Sequence, residues 1–263
     1  FYICFMSNKN PIGLFDSGVG GTSIWKEVHA LLPNESTIYL ADSKNAPYGQ
    51  KTQEEIIELS KKNTEFLLKN NCKLIIVACN TATTNAIKAL RASYDVPFIG
   101  IEPAIKPAAL HSKTQKIGIL ATQGTLNSEL FHQTVALYSD VKVVEQIGFD
   151  LVKLIENGEM YSKKMILLLE EYLLPMVAQD IDYLVLGCTH YPYLIPQIQK
   201  IIPKHIKIID SGEAVAKQTK NILEINNLFN TSKNVNQTFY INNPPEVMQE
   251  LIGDKFKVEY KDF

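Results

Sequence analysis

The sequence predicts an α/β protein of two similar lobes, each an open, mostly parallel sheet with helices on both faces. Short apolar runs alternate with segments of helical periodicity along most of the 263 residues, which is the pattern of βα units. The pattern restarts after about residue 112, and the spacing from Ile12 to Cys79 is close to that from Ile117 to Cys188. This echo indicates an internal duplication, with the lobes related by pseudo-two-fold symmetry around a shared cleft.

The lobe limits follow from the position of the restart. We expect residues 1–98 and 213–263 to form the first lobe, and residues 99–212 to form the second. The first lobe then carries Cys79 and the second carries Cys188.

In the first half, each apolar run is followed by a segment with a helical pattern. Ile24 and Val28 lie on one face of the first predicted helix. Thr52 and Glu55 have the spacing of a capping box, which predicts a helix to about residue 69. The strands of this half are expected at 12–15, 38–41, 74–78 and 98–101, with another helix through 86–90.

The second half has the same order of elements. The stretch Asp210, Ser211 and Gly212 repeats the first Asp-Ser-Gly, but no thiol is near it in sequence, so we interpret it as a strand end and helix cap. Strands are predicted at 117–120, 143–146, 183–187 and 207–209, and helices at 165–178 and 213–225. The runs 238–242 and 256–260 are expected to complete the first sheet, after a polar loop at 226–237.

Composition argues against several classes of protein. A net charge of −2 and a pI of about 6.3 predict neither a nucleic-acid partner nor a membrane-surface partner. No apolar run approaches the roughly 20 residues that a membrane span needs. The apolar start, residues 1–6, is expected to be a strand or extension rather than a signal peptide, with Met6 as a candidate natural start.

Four cysteines, Cys4, Cys72, Cys79 and Cys188, are irregularly spaced and form no CxxC motif. This predicts neither a disulfide framework nor a metal site, and it favours a reducing, cytoplasmic setting. Cys4 and Cys72 are interpreted as small buried hydrophobic residues, because no polar cluster surrounds them.

Cys79 and Cys188 each close an apolar run and are followed at once by small polar residues. Ligands of open α/β sheets bind at the carboxyl ends of the strands, so these thiols are expected to face one cleft from opposite lobes. Each thiol also precedes a predicted helix, whose N-terminal N–H groups favour a thiolate and bind carboxylates. Two thiols facing one carbon are what exchange of a proton with inversion would need.

Other polar residues lie at the same strand ends. Asp16 ends a neighbouring strand of the first lobe, and His190 is two residues from Cys188, so both are candidates to orient or exchange protons with a thiol. Further hydrogen-bond donors at these positions are Asn80, Thr81 and Thr189.

Four motifs carry a resemblance to a known family: Asp-Ser-Gly-Val-Gly-Gly at 16–21, Pro-Tyr-Gly at 47–49, Ala-Cys-Asn-Thr-Ala at 78–82 and Gly-Cys-Thr-His-Tyr-Pro at 187–192. Together and in this order they resemble the cofactor-independent glutamate racemases, from about Pro11 to about Gly212. The resemblance implies a racemase that uses no pyridoxal phosphate or other cofactor and supplies D-glutamate for bacterial peptidoglycan.

The resemblance also implies roles for individual residues. Cys79 would act on the α-proton of D-glutamate and Cys188 on that of L-glutamate, with Asp16 and His190 as assisting acid/base groups. The implied substrate contacts are Asp16, Ser17, Tyr48, Gly49, Asn80, Thr81, Thr122, Thr125, Thr189 and His190. Acidic residues that resemble others near the family's site are Asp42 and Glu156. The expected partner is a small-molecule substrate, L- or D-glutamate, and a homodimer stays open.

Several alternatives stay open from the residues alone. The nearest is an aspartate racemase of the same superfamily. A thiol-dependent hydrolase or isomerase would need only one cysteine, and an amino-acid-binding module would need neither. The glycine-rich turn at 16–21 could bind phosphate, although it lacks the P-loop lysine. His190 could instead be a core or helix-capping histidine.

Overall fold

The computed structural model describes residues 8–232 and 234–263, and ten strands, eleven α-helices and three short 3₁₀ helices, at Ser43–Asn45, Tyr48–Gln50 and Tyr191–Leu194, lie in these ranges. The strands are β1 Ile12–Asp16, β2 Thr37–Ala41, β3 Leu74–Val77, β4 Phe98–Gly100, β5 Lys116–Ala121, β6 Lys142–Ile147, β7 Tyr183–Gly187, β8 Lys207–Ile209, β9 Gln237–Ile241 and β10 Val258–Tyr260. The helices are α1 Thr22–Leu31, α2 Gln53–Lys69, α3 Asn80–Ser93, α4 Ile105–His111, α5 Gln123–Leu126, α6 Glu129–Ala136, α7 Leu151–Glu156, α8 Lys163–Val177, α9 Ile195–Ile201, α10 Gly212–Ile225 and α11 Glu246–Ile252.

These strands form two parallel sheets, which confirms the predicted α/β class. The first sheet has the order β10-β9-β2-β1-β3-β4, and the second has the order β6-β5-β7-β8. Every neighbouring pair in both sheets is parallel. Strands β1, β3 and β7 are buried along their whole length, as expected of strands covered by helices on both faces.

The last strands of the chain return to the first sheet. β9 pairs with β2, and β10 pairs with β9, so the expectation for the runs 238–242 and 256–260 is confirmed. β4 is the opposite edge of the same sheet. The lobe limits proposed from the sequence stay a prediction.

Local sequence signals explain where several helices begin. At the start of α2, the Thr52 hydroxyl accepts the Glu55 N–H at 3.3 Å and the Glu55 carboxylate accepts the Thr52 N–H at 2.8 Å, so the predicted capping box is present. Before α10, the Asp210 carboxylate accepts the Gly212 N–H at 2.7 Å, in keeping with the interpretation of a strand end and helix cap. No helix in the described ranges combines the length and apolarity needed to cross a membrane.

Cys72 is a buried member of an apolar cluster, as expected, and burial raises the pKa of its thiol to about 12. Cys4, and the strand or extension expected at residues 1–6, lie outside the described residues.

A buried ion pair ties the chain together near the amino-terminal end of β3. Lys73 Nζ lies 2.7 Å from Glu35 Oε2 and 2.7 Å from the Leu228 carbonyl oxygen. Glu35 Oε1 accepts the N–H of Asn230 at 2.7 Å, so the pair also holds the segment between α10 and β9. Burial lowers the pKa of Lys73, and the Glu35 carboxylate partly offsets this shift.

We expect Glu35→Gln to destabilise the fold, because it leaves the Lys73 ammonium buried without an opposite charge. The expected loss in the free energy of unfolding is about 3 to 5 kcal/mol, measured by urea titration. Glu58→Gln is the control: its ion pair with Lys61, at 3.1 Å, is largely exposed and contributes less than about 1 kcal/mol. Equal losses in the two variants would contradict a structural role for the buried pair.

Candidate active site

The fold brings both candidate thiols to one small chamber. Cys79 follows β3 and caps the N-terminus of α3, and Cys188 directly follows β7. The chamber has a volume of about 10 Å³, which is room for about one water molecule. Its walls also include Ser17, Pro47, Tyr48, Gly49, Asn80, Thr81, Thr122, Val152, Thr189 and His190.

A second cavity of about 430 Å³ adjoins the chamber. The two cavities have four wall residues in common, namely Pro47, Gly49, Thr122 and Val152. These four residues therefore form the boundary between the two spaces.

The first thiol, Cys79, lies beside Ser17 and the amino-terminal turn of α3. Its Sγ is 3.5 Å from Ser17 Oγ and accepts the N–H of Ala82 at 3.4 Å. Burial, followed by the negative charge of Asp16, raises the pKa of Cys79 well above its ordinary value. Burial also raises the pKa of Asp16. Cys79 therefore keeps its proton strongly.

The second thiol, Cys188, faces a histidine and a carboxylate. The Cys188 sulfur is 3.7 Å from His190 Nδ1, and His190 Nε2 is 2.6 Å from Glu156 Oε1. Burial alone would lower the pKa of His190, but the bonds to Cys188 and Glu156 outweigh it and raise that pKa well above its ordinary value. The raised pKa favours the cationic form of the imidazole that faces the Cys188 sulfur.

The glycine-rich turn after β1 closes around these side chains. The Val19 N–H donates to Glu156 at 2.7 Å and the Gly21 N–H donates to Asp16 at 2.6 Å. A Cβ on Gly20 would come within 2.2 Å of the His190 ring, so only glycine fits there. Two of the N–H groups that would bind a phosphate are thus bonded to carboxylates of the protein, which does not favour a phosphate loop.

The predicted substrate contacts are close together. Thr81 Oγ1 is 2.8 Å from Thr122 Oγ1 and 3.4 Å from Thr125 Oγ1, so these hydroxyls meet across the two sheets. The Asn80 side-chain nitrogen is buried and has no hydrogen-bond partner among the described residues. A buried donor without a partner is costly, and it suits a site that an acceptor group of a ligand completes.

Asp42 and Tyr48 have a different arrangement from the other predicted residues. The Tyr48 ring lines the chamber, but its hydroxyl donates to Asp42 Oδ2 at 2.5 Å. Asp42 is buried and, like Asp16 and Thr125, does not line the chamber. Asp42 therefore holds Tyr48 in place rather than facing the thiols, whereas Glu156 contacts His190 directly.

Sequence reasoning missed four residues at or near the chamber. Pro47 and Val152 line it, Ser43 donates to Glu156 Oε2 at 2.7 Å, and Asn242 donates to Asp42 Oδ1 at 2.6 Å. Pro47 belongs to the Pro-Tyr-Gly motif, which is a signal for it, but nothing in the sequence around Asn242 indicates its contact. Within the described ranges, no cluster of three or more His, Cys, Asp or Glu residues could hold a metal ion.

Comparison with known proteins identifies the family. A sequence profile of the Asp/Glu/hydantoin racemases matches residues 21–219. The glutamate racemase of Herpetosiphon aurantiacus is 45% identical over 221 residues, which cover 84% of this chain and 87% of that protein.

Solved structures agree with this similarity. The crystal structure of a Bacillus anthracis glutamate racemase isoform has a TM-score of 0.87 and 31% identity, with 97% of this chain and 98% of that chain covered. The Francisella tularensis glutamate racemase, solved in complex with D-glutamate, has a TM-score of 0.84 and 30% identity over 97% and 98% of the two chains. The fold, the motifs and these similarities agree that the chain belongs to the Asp/Glu/hydantoin racemase family, within its group of glutamate racemases.

Proposed function

We propose that this racemase interconverts L- and D-glutamate by moving the α-proton between two thiols on opposite faces of the α-carbon. The observation that carries the proposal is that Cys79 and Cys188 line the same chamber, each with its own polar partner. Asp16 is the charged group beside Cys79, and His190 is the group beside Cys188. A hydrolase that used one thiol would not need a second thiol with a polar partner of its own.

In the L-to-D direction, the Cys188 thiolate removes the α-proton of L-glutamate and becomes a thiol. The electron pair of the broken C–H bond stays on the substrate, where the α-carboxylate shares it. The Cys79 thiol then donates its proton to the opposite face, which forms D-glutamate and leaves Cys79 as the thiolate. The reverse reaction uses the same groups in the opposite order, so every proton is accounted for.

The N-terminus of α3 supports both the binding and the chemistry. Helix N–H groups and the unpartnered Asn80 amide are fixed donors for a carboxylate whose negative charge grows as the proton leaves. No lysine or arginine lines the inner chamber. Neutral donors, with the hydroxyls of Thr81 and Thr122, are therefore proposed to bind the substrate carboxylates.

The chamber has room for about one water molecule, so its walls must separate to admit glutamate. Closure after binding would exclude water and strengthen each electrostatic contact around the thiols. By family resemblance, we further propose that the product supplies bacterial peptidoglycan synthesis in the cytoplasm. A homodimer stays an open proposal.

The direct test is exchange of the α-proton of L-glutamate in heavy water, followed by proton NMR with circular dichroism in parallel. We expect loss of the α-proton signal and decay of optical activity to zero, at a rate far above that with aspartate. Exchange with aspartate alone would reassign the substrate, and exchange with neither, in freshly reduced protein, would overturn the proposal.

Matched variants are the control for the two-thiol scheme. Cys79→Ser and Cys188→Ser should each abolish racemisation, because a serine hydroxyl is a far weaker acid than a thiol. Cys72→Ser changes a thiol outside the chamber and should leave turnover near that of the wild type. Near wild-type turnover in either chamber variant would contradict a reaction with two bases.

The pH dependence should be bell-shaped, because the coupled thiols must share one proton. Burial and the charge of Asp16 raise the pKa of the Cys79 thiol above the ordinary value for a thiol, about 8.5. The decline of kcat/KM at high pH, which reports loss of this proton, is therefore expected above that pH. Asp16→Asn removes that charge and should move the basic limb of kcat/KM to lower pH. The plots of kcat/KM against pH for L- and D-glutamate must coincide, because the equilibrium constant between the two enantiomers is one. If the basic limb of Asp16→Asn stays at the same pH or moves to higher pH, the assignment of that limb to Cys79 is contradicted.

A further inference from the structure

Asn242 lies just beyond β9, outside the residues that the family profile matches. It is buried, with 3% of its surface exposed. Its side-chain Oδ1 accepts the backbone N–H of Lys44 at 2.9 Å, and its Nδ2 donates to Asp42 Oδ1 at 2.6 Å. One amide therefore holds both neighbours of Ser43.

The register of the first sheet explains this position. β9 pairs with β2 so that Ile241 lies beside Ala41, and the next residues along the two strands are Asn242 and Asp42. The Asn242 N–H also donates to the Ala41 carbonyl at 3.3 Å. A strand from the end of the chain thus fixes the start of the loop that carries Ser43.

Ser43 continues the contact towards the second thiol. Its hydroxyl donates to Glu156 Oε2 at 2.7 Å, and the other oxygen of Glu156 is 2.6 Å from His190 Nε2. The opposite ring nitrogen of His190 faces the Cys188 sulfur at 3.7 Å. Asn242 therefore holds the backbone on both sides of Ser43, and polar contacts continue from Ser43 through Glu156 and His190 to the Cys188 side of the chamber.

We propose that Asn242 is a positioning residue for the Cys188 half of the reaction, acting by holding Ser43 against the Glu156 carboxylate. This inference rests on the proposed racemisation of glutamate. The Ser43 bond fixes one oxygen of Glu156, so the other oxygen stays directed at His190 Nε2. That contact fixes the orientation of the imidazole ring and keeps Nδ1 directed at the thiol.

The alternative is that Asn242 only stabilises the pairing of β9 with β2. The other end of β9 offers a matched comparison, because Gln237 is also an amide that bonds to the first sheet, through the Thr37 hydroxyl and the Glu35 carbonyl. Among the described residues, the Gln237 side chain forms these bonds and none with the loop that carries Ser43. If Asn242 were merely structural, Asn242→Ala and Gln237→Ala would behave alike.

The test uses substrates deuterated at the α-carbon. Cys188 removes the proton from L-glutamate, so Asn242→Ala should slow that step, lower kcat about tenfold or more, and raise the isotope effect on kcat/KM for L-glutamate. The isotope effect for D-glutamate should fall, because return of a proton from Cys188 then limits the rate. Gln237→Ala should leave both isotope effects as in the wild type.

Ser43 variants test the intermediate contact. Ser43→Ala should reproduce the opposite changes in the two isotope effects, and Ser43→Thr, which keeps the hydroxyl, should restore wild-type values. The proposal would be overturned if Asn242→Ala changed the isotope effects for L- and D-glutamate equally, or if Ser43→Ala left both isotope effects unchanged.

A second measurement needs no substrate. The charged and titratable groups that face His190 are Cys188, Glu156 and Asp16, and the ¹⁵N signals of its ring report its protonation directly. Asn242→Ala should lower the pH at which His190 loses its proton, whereas Gln237→Ala should not. If the wild type fails to exchange glutamate but the ring signals shift as expected, the proposed function fails and the positioning role stands. Identical ring titrations in the two variants would overturn the positioning role.

Discussion

The 2.6 Å contact between Glu156 and His190 is the interaction on which the rest of the site depends. Glu156 ends α7, next to the second sheet, yet it also accepts hydrogen bonds from Val19 and Ser43, which follow the first two strands of the first sheet. One carboxylate therefore joins the two halves of the molecule beside the chamber that the two thiols line. Because the pair is almost fully buried, losing one member would leave the other polar and unpaired, which is costly.

The two thiols have different surroundings although their substrates are mirror images. Cys79 caps a helix and lies near a carboxylate, and the pKa of its thiol is raised, whereas Cys188 faces a histidine whose pKa is raised. This difference suits the proposed sharing of one proton, because one site favours the thiol and the other favours a cation beside the sulfur. In the proposed reaction each turnover reverses the arrangement, so the proton has to return to its first position before the next molecule of the same enantiomer reacts.

Much of this site could be predicted because its residues follow consecutive strands. Cys79 and Cys188 end buried apolar runs, and parallel strands direct their carboxyl ends to one edge, so the sequence indicates that they meet. Family resemblance placed Glu156 near the site, but its contact with His190 was not predicted and is known only from the structure. The roles of Ser43 and Asn242 could not be predicted, because they depend on the pairing of β9 with β2, two strands almost 200 residues apart in the chain. Likewise, the Tyr48 motif did not reveal that its hydroxyl is bonded to Asp42.

The central claim is that one thiol removes the proton and a different thiol replaces it. The most direct measurement is the position of the label in heavy water at low conversion of L-glutamate, with both enantiomers separated and analysed by mass spectrometry. Two thiols on opposite faces predict that newly formed D-glutamate carries deuterium, delivered from Cys79, while the remaining L-glutamate keeps its proton. Deuterium in both enantiomers to the same extent from the start, or a product that retains the substrate proton, would contradict the account.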